Sequence, residues 1–385
     1  MITSFSRTVP VLFGPGASLQ TGLKVKELGA QKVLCVYDKG IKSAGIADKI
    51  IDNLKAAGLQ VVIFDDVKAD PPDTIINEAA VMANEEQVDG VVGVGGGSTM
   101  DAAKAINVLL TNPPPINLYY ASSGGEHKPG KVVVLIPTTA GTGSEVTPIS
   151  VVSDTATNTK RGVIGPATTA TLAIVDPELL LGLPPQITAS TGMDAFAHAA
   201  EALTSGSMNP MSDVLGEKAI SLITQNLNKA VKDGSDLAAR TNLSFAALIA
   251  GFAFSDALIH WGHAIAHAIG AKYHIPHGIG CALALPVAME YVAEVLPGKV
   301  RQVGLAMGLS LGENLSPAEV GGAVAEAIRQ FNREVGIPSL KDFKIEESSL
   351  EQLIDGVMVD DCFMFGPKRP SADQVLGMLK KTYEY

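Results

Sequence analysis

Five short runs of β-branched and aliphatic residues punctuate the first half of the chain, with helical patterns between them. This alternation constrains the fold more than any other feature. Lys32–Tyr37, Gln60–Phe64, Gly90–Val94, Lys131–Ile136 and Leu172–Val175 read as buried strands, whereas Ile41–Ala57, Asp73–Gln87 and Thr99–Leu110 read as helices. Runs that are apolar on nearly every residue belong to strands covered on both faces, so a parallel sheet flanked by helices is predicted. Beyond Asp176-Pro-Glu-Leu179 and Gly182-Leu-Pro-Pro185 the strand pattern ends, and from Thr188 onward Ala- and Leu-rich helical segments dominate. The expectation is an α/β nucleotide-type domain over residues 1–182, an all-helical domain over 183–385, and a ligand cleft between them. A length of 385 residues, beyond the size at which one core usually stops growing, also favours two domains.

Composition excludes several classes. Acidic residues number 40 against 29 basic ones, leaving a formal net charge of −11. Neither nucleic acid nor an anionic membrane surface is therefore the expected partner. Hydrophobic residues make up 46% and charged residues 18%, which excludes a disordered or collagen-like chain. The longest uninterrupted apolar runs, such as Phe245–Phe254, fall short of the roughly 20 residues that span a bilayer. Cys35, Cys281 and Cys362 are widely spaced, without a CxxC pair, so no disulfide framework is expected. With an N-terminus that lacks the regions of a signal peptide, they predict a soluble cytoplasmic protein.

Two loops read as cofactor contacts. Gly90–Val94 runs into Gly95-Gly96-Gly97-Ser98, and a helical pattern starts at Thr99. Glycines there let a ligand approach the backbone, and the start of a helix favours a phosphate. The pattern is not GxGxxG, and the acid suited to an adenosine ribose, Asp38, precedes the loop instead of following it. An acid at the end of that strand repels a 2′-phosphate and favours NAD over NADP; the alternative is a plain turn residue. Pro137-Thr138-Thr139-Ala-Gly-Thr142-Gly-Ser144 is a second strand-to-loop segment, whose hydroxyls suit a pyrophosphate or ribose, or else a turn.

Six of the seven histidines, His198, His260, His263, His267, His274 and His277, fall within 80 residues of the helical half. Asp194 and His198 stand four apart on one predicted helix face, His260, His263 and His267 recur at three and four, and His277 follows on a Pro/Gly-bounded turn. An aspartate with neutral imidazoles suits Zn²⁺ or Fe²⁺. The lack of cysteine ligands argues against a closed structural site, so the set reads as an open catalytic one.

These motifs together resemble the iron-containing (group III) alcohol dehydrogenases. Phe13-Gly-Pro-Gly16, Gly95–Ser98, Pro137–Thr142, Gly192-Met-Asp-Ala-Phe-Ala-His198, His263-Ala-Ile-Ala-His267, Pro276-His-Gly278 and Val335-Gly-Ile-Pro338 carry the likeness over nearly the whole chain. The resemblance implies a parallel-sheet dinucleotide-binding domain followed by a helical metal-binding domain, the plan shared with dehydroquinate synthase. It implies Asp194, His198, His263 and His277 as ligands of Fe²⁺, or of Zn²⁺ or another divalent ion, and His267 as a non-ligand histidine beside the reacting carbon. Asp38, Gly95, Gly96, Gly97, Ser98, Thr138, Thr139, Thr142, Lys160 and Leu179 fall on its cofactor-contact positions. The implied reaction is hydride transfer between a short primary alcohol or diol and NAD, in a homo-oligomer, with a small molecule as the only substrate partner.

Where relatives carry smaller residues, Trp261, Phe363 and Phe365 either narrow the substrate pocket or enter the core. Lys368 and Arg369 would suit an anionic aldehyde. The alternatives are a dehydroquinate synthase-type metal lyase, for which Lys and Arg near the histidines are too few, and a non-catalytic nucleotide-binding protein, which would not need the Asp/His set.

Overall fold

The computed structural model describes residues 9–157, 159–207 and 209–385. They form two compact units. One runs through Thr139 and resumes over Gly143–Gly182; the other takes Ala140–Thr142 and Leu183–Tyr385.

The first unit is α/β. Strands β1 (Val11–Phe13), β2 (Lys32–Val36), β3 (Gln60–Phe64), β4 (Gly90–Gly95), β5 (Val132–Pro137) and β8 (Leu172–Val175) make one parallel sheet in the order β1-β8-β5-β4-β2-β3. Between β5 and β8, strands β6 (Ile149–Asp154) and β7 (Thr159–Ile164) form a separate antiparallel hairpin. Helices α1 (Thr21–Glu27), α2 (Lys39–Ser43), α3 (Ile46–Ala56), α4 (Asp73–Glu85) and α5 (Gly97–Leu109) complete the unit.

The side chains of Val33–Val36, Val91, Val92, Val94 and Val133–Ile136 are at most 1% exposed, which explains the unbroken apolar runs. Each buried valine or leucine contributes about 1.5–3 kcal/mol. Chain order reverses across the sheet between β2 and β4: β3 lies outside β2, while β5 and β8 lie beyond β4. Such a switch point opens a crevice at the carboxyl ends of parallel strands. Asp38 follows β2 there, and Gly96–Ser98 follow β4.

Three details differ from the sequence expectation. β1 has three residues, too few for a periodic signal. The β6–β7 hairpin was not expected; β6 alternates half-buried and buried positions through Ser150 and Ser153, so it lacks the apolar run of the other strands. The helix expected over 41–57 is two helices, α2 and α3, divided at Gly45, whose φ of 70° is left-handed and suits glycine.

The second unit is helical among its described residues: α6 (Pro185–Thr204), α7 (Pro210–Lys232), α8 (Leu237–Ala257), α9 (Trp261–Tyr273), α10 (His277–Ala293), α11 (Pro297–Ala306), α12 (Pro317–Val335), α13 (Ile354–Met358) and α14 (Ala372–Tyr383). Contrary to the estimate from uninterrupted apolar runs, α8 is 21 residues long and apolar enough to cross a membrane by length and composition, although 67% of its apolar window is buried inside the structure. It packs against α6 and α7. It also buries Arg240, whose guanidinium donates to Thr188 Oγ1 at 2.8 Å and to the carbonyls of Gly234 and Leu183 at 3.1 Å. That arginine is satisfied by protein groups at the start of α6 and in the loop before α8, as a core helix of a globular unit requires.

Candidate active site

Helix α6 presents Asp194, His198 and Glu201, spaced by four and then three residues and so stacked along one face. Their exposures are 2%, 5% and 0%. Helix α9 adds His263 and His267, and α10 begins with His277. Glycine lets the three helices meet closely. A Cβ on Gly262 would lie 2.2 Å from Glu201 Oε1, and one on Gly278 would lie 2.1 Å from the Ser190 carbonyl oxygen. A larger residue at 278 must push α10 off α6, and one at 262 must displace the Glu201 carboxylate.

The Nε2 atoms of His277, His263 and His198 stand 3.4, 3.8 and 4.0 Å from one oxygen, Asp194 Oδ1. These separations are long for hydrogen bonds. They are close to the roughly 3.4 Å between donor atoms that each sit about 2.1 Å from a tetrahedral ion. Asp194 Oδ1 and His263 Nε2 are buried and have no hydrogen-bond partner. Each such orphan costs about 1–3 kcal/mol. A divalent cation would satisfy both, so the residues fit a metal.

At His198 protonation suits the same purpose. Burial pushes the His198 pKa down to about 4, leaving its ring neutral, stacked on Phe254 at 4.3 Å and on His263 at 4.6 Å. Burial would also lower His263, but the Glu201 carboxylate and its hydrogen bond outweigh that and raise it. Burial would raise Glu201; the neighbouring His263 and His260 hold it instead at about 2.

Sequence reading missed two acids. Glu201 accepts from His263 Nδ1 at 3.0 Å and from the His260 backbone N–H at 2.5 Å. The first bond places the proton on Nδ1 and turns the Nε2 lone pair toward Asp194. Its spacing from Asp194 and His198 on one helix was the available signal. Asp360 Oδ2 bonds His267 Nδ1 at 2.9 Å, from 93 residues away in sequence, and no local pattern announced it.

Two histidines expected near the site lie off it. His260 precedes α9 as its N-cap, and its Nε2 pairs with Thr204 Oγ1 at 2.8 Å. His274 caps the end of α9 in the left-handed region, exposed. His277, expected on a turn, opens α10 instead.

Of the bulky departures, Trp261 is fully buried, edge-on to Tyr291 at 5.0 Å, and Phe363 is 6% exposed, so both belong to the core. Phe365 is half-buried. Lys368 is paired with Glu294 at 3.0 Å and lies 4.7 Å above the Tyr291 ring, and Arg369 is exposed. The lysine is thus engaged at the surface, which removes half of the argument for an anionic substrate.

The residues expected to meet a dinucleotide cluster in the α/β unit, with one exception. Asp38 Oδ1 accepts from the Ile41 N–H at 2.9 Å, capping α2, while Oδ2 lies 3.4 Å from Thr99 Oγ1 on α5. Asp38 is therefore a turn residue and a neighbour of the glycine loop at once. The Thr138 N–H donates to the Gly95 carbonyl at 3.0 Å, and a Cβ on Gly96 would meet Thr139 at 3.5 Å. Gly95 ends β4 and makes room for α5, since a Cβ there would lie 2.5 Å from Thr99 Oγ1. Gly96 caps α5 without a side-chain hydrogen bond, as an anion site at a helix start requires. Lys160 bonds Asp70 at 2.7 Å, and the Asp70 N–H donates to Ser98 Oγ at 3.2 Å, which brings the hairpin to the loop. Leu179, after β8, packs on the sheet core. The exception is Thr142, which belongs to the short segment of the helical unit.

Comparison with known proteins agrees with this organisation. A family model described as iron-containing alcohol dehydrogenase matches residues 9–177, and one for the C-terminal part of the Fe-containing alcohol dehydrogenase family matches 188–383. The NAD-dependent methanol dehydrogenase of Bacillus methanolicus is 35% identical over 99% of this chain and 100% of its own. The 1,3-propanediol dehydrogenase of Citrobacter freundii is 35% identical over 96% of both chains. A crystal structure of 1,3-propanediol oxidoreductase superposes with a TM-score of 0.94 at 34% identity, covering 99% of this chain and 100% of that one.

Proposed function

The chain belongs to the iron-containing alcohol dehydrogenase family, a metal-dependent, NAD-using oxidoreductase class, and on that premise we propose that it interconverts a short unbranched primary alcohol or diol with its aldehyde. The observation that carries this reading is the convergence of three imidazole Nε2 atoms on Asp194 Oδ1, with two buried atoms of the set unpartnered. Asp194, His198, His263 and His277 are the proposed ligands, of Fe²⁺ first and of Zn²⁺ next, since such a donor set suits either. When bound, the ion supplies Lewis acidity that stabilises negative charge on the substrate oxygen, and NAD takes or gives the hydride.

The remaining work falls to the protein. Glu201 keeps the proton of His263 on Nδ1 and so keeps Nε2 a donor. Asp360 orients His267, whose side chain is 20% exposed against 1% for His263, so its Nε2 is suited to carry the hydroxyl proton to water. In the α/β unit, the start of α5 at Gly96–Ser98 would hold the pyrophosphate and Asp38 would accept from the adenosine ribose, while Thr138, Thr139, Lys160 and Leu179 would line the rest of the cofactor. Aldehyde reduction, a homodimeric assembly and a cytoplasmic location complete the proposal.

The test follows NADH absorbance with ethanol, 1-propanol, 1,3-propanediol and propanal, before and after loading with Fe²⁺ or Zn²⁺. Metal-dependent turnover of at least one substrate is expected, lost in His263→Ala together with bound metal. No turnover with any of them, or full turnover after the metal is stripped, sinks the proposal.

A further inference from the structure

The three cysteines carry no spacing that announces a ligand, yet the fold brings one of them to the cation site. Cys281 lies one turn after His277 on α10, with its Sγ 3.5 Å from His277 Nε2. One ligand atom from each of Cys281, His277, His263 and Asp194 lies within 4.8 Å of all the others. Cys281 is fully buried. It is not a solitary thiol beside an arbitrary histidine, because Asp194 and His263, whose Oδ1 and Nε2 atoms are buried and without a hydrogen-bond partner, belong to the same group of residues.

Packing explains how the sulfur comes there. A Cβ on Gly278 would strike the Ser190 carbonyl and come within 3.3 Å of Asp194 Cβ, and one on Gly280 would stand 3.1 Å from Ala266 Cβ. These two glycines let the first turn of α10 settle against α6 and α9 together. The next inward position after His277 is Cys281.

We propose that Cys281 adds a sulfur donor to the metal at this site, beside Asp194, His198, His263 and His277, and that it biases the site toward thiophilic divalent ions. The inference rests on the metal-site reading of the preceding subsection. On coordination the S–H bond breaks, its proton leaves to solvent, and a sulfur electron pair is shared with the cation. No electron is transferred and no oxidant is needed. Thiolate sulfur favours Zn²⁺, Co²⁺ and Cd²⁺ over Mg²⁺ and Mn²⁺, which oxygen donors accept as readily.

The test uses the full-length protein loaded with Co²⁺. Visible d–d bands report that cobalt is bound at all, and a near-ultraviolet charge-transfer band reports sulfur in its coordination shell. We expect both in wild type. In Cys281→Ser the charge-transfer band disappears, the d–d bands remain, and the preference for Cd²⁺ over Mn²⁺ in competition falls by about tenfold or more. Cys362 lies near His267 and Asp360 and is the rival source of sulfur, so Cys362→Ser must keep the band. Should Cys281→Ser fail to fold, Cys281→Ala and the wild-type spectrum still decide. Cobalt bound with d–d bands but no charge-transfer band in wild type, or a band lost only in Cys362→Ser, overturns the assignment while leaving the metal site standing. Absence of cobalt binding altogether overturns both.

Discussion

Replacing Glu201 by glutamine changes one atom in a fully buried side chain, and its consequences follow from two hydrogen bonds. One carboxylate oxygen accepts from His263 Nδ1 at 3.0 Å and the other from the His260 N–H at 2.5 Å. Glutamine offers one acceptor and one amide group, so one of the two donors must face another donor. A buried N–H left unsatisfied costs about 1–3 kcal/mol, which sets the expected loss of stability in the metal-free protein. If the bond to His263 is the one lost, the ring is free to turn and its Nε2 no longer points to Asp194. Outer-shell partners of this kind are worth about 10- to 100-fold in metal affinity. The assay pairs denaturant unfolding of the stripped protein with metal dissociation constants from chelator competition. Glu347→Gln, on an exposed residue, is the control. A variant that binds metal within twofold of wild type, at unchanged stability, would refute the role assigned to Glu201.

Three further outcomes are expected. Asp38→Asn keeps an acceptor for the Ile41 N–H but removes the charge, so the ratio of kcat/KM for NADP to that for NAD should rise about tenfold or more; an unchanged ratio means that Asp38 does not meet the ribose. Glu145 is buried and its pKa is pushed from 4.5 up to about 7, so between those values the folded state holds a proton that the unfolded state has released. Stability from this group therefore falls as pH rises from about 4.5 to 7, and Glu145→Gln should lessen the decline between pH 5 and pH 7 by roughly 1–3 kcal/mol in denaturant titrations, equal slopes counting against it. Gly278→Ala places a Cβ 2.1 Å from the Ser190 carbonyl, which should cost about 1–3 kcal/mol, displace α10 and empty the metal site; a variant of normal stability and metal content would contradict the packing described.

The sequence by itself determined the architecture. Valine-rich apolar runs at β2, β4 and β5 announce strands covered on both faces, and each element's own composition carries that information. The Asp194–His198 and His263–His267 pairs were legible for the same reason, because a helix converts a spacing of four into a shared face. What lay outside the sequence was set by contacts between elements distant in the chain. Asp360 reaches His267 across 93 residues, Cys281 comes beside His277, His263 and Asp194 because Gly278 and Gly280 let α10 close on α6 and α9, and Trp261 was drawn into the core. The β6–β7 hairpin escaped notice because its strands are half polar, and pairing with each other supplies the order that apolar runs supply elsewhere. Local periodicity encodes which face a residue shares; only packing decides which faces meet, and the reactive atoms of this site lie where three helices do so.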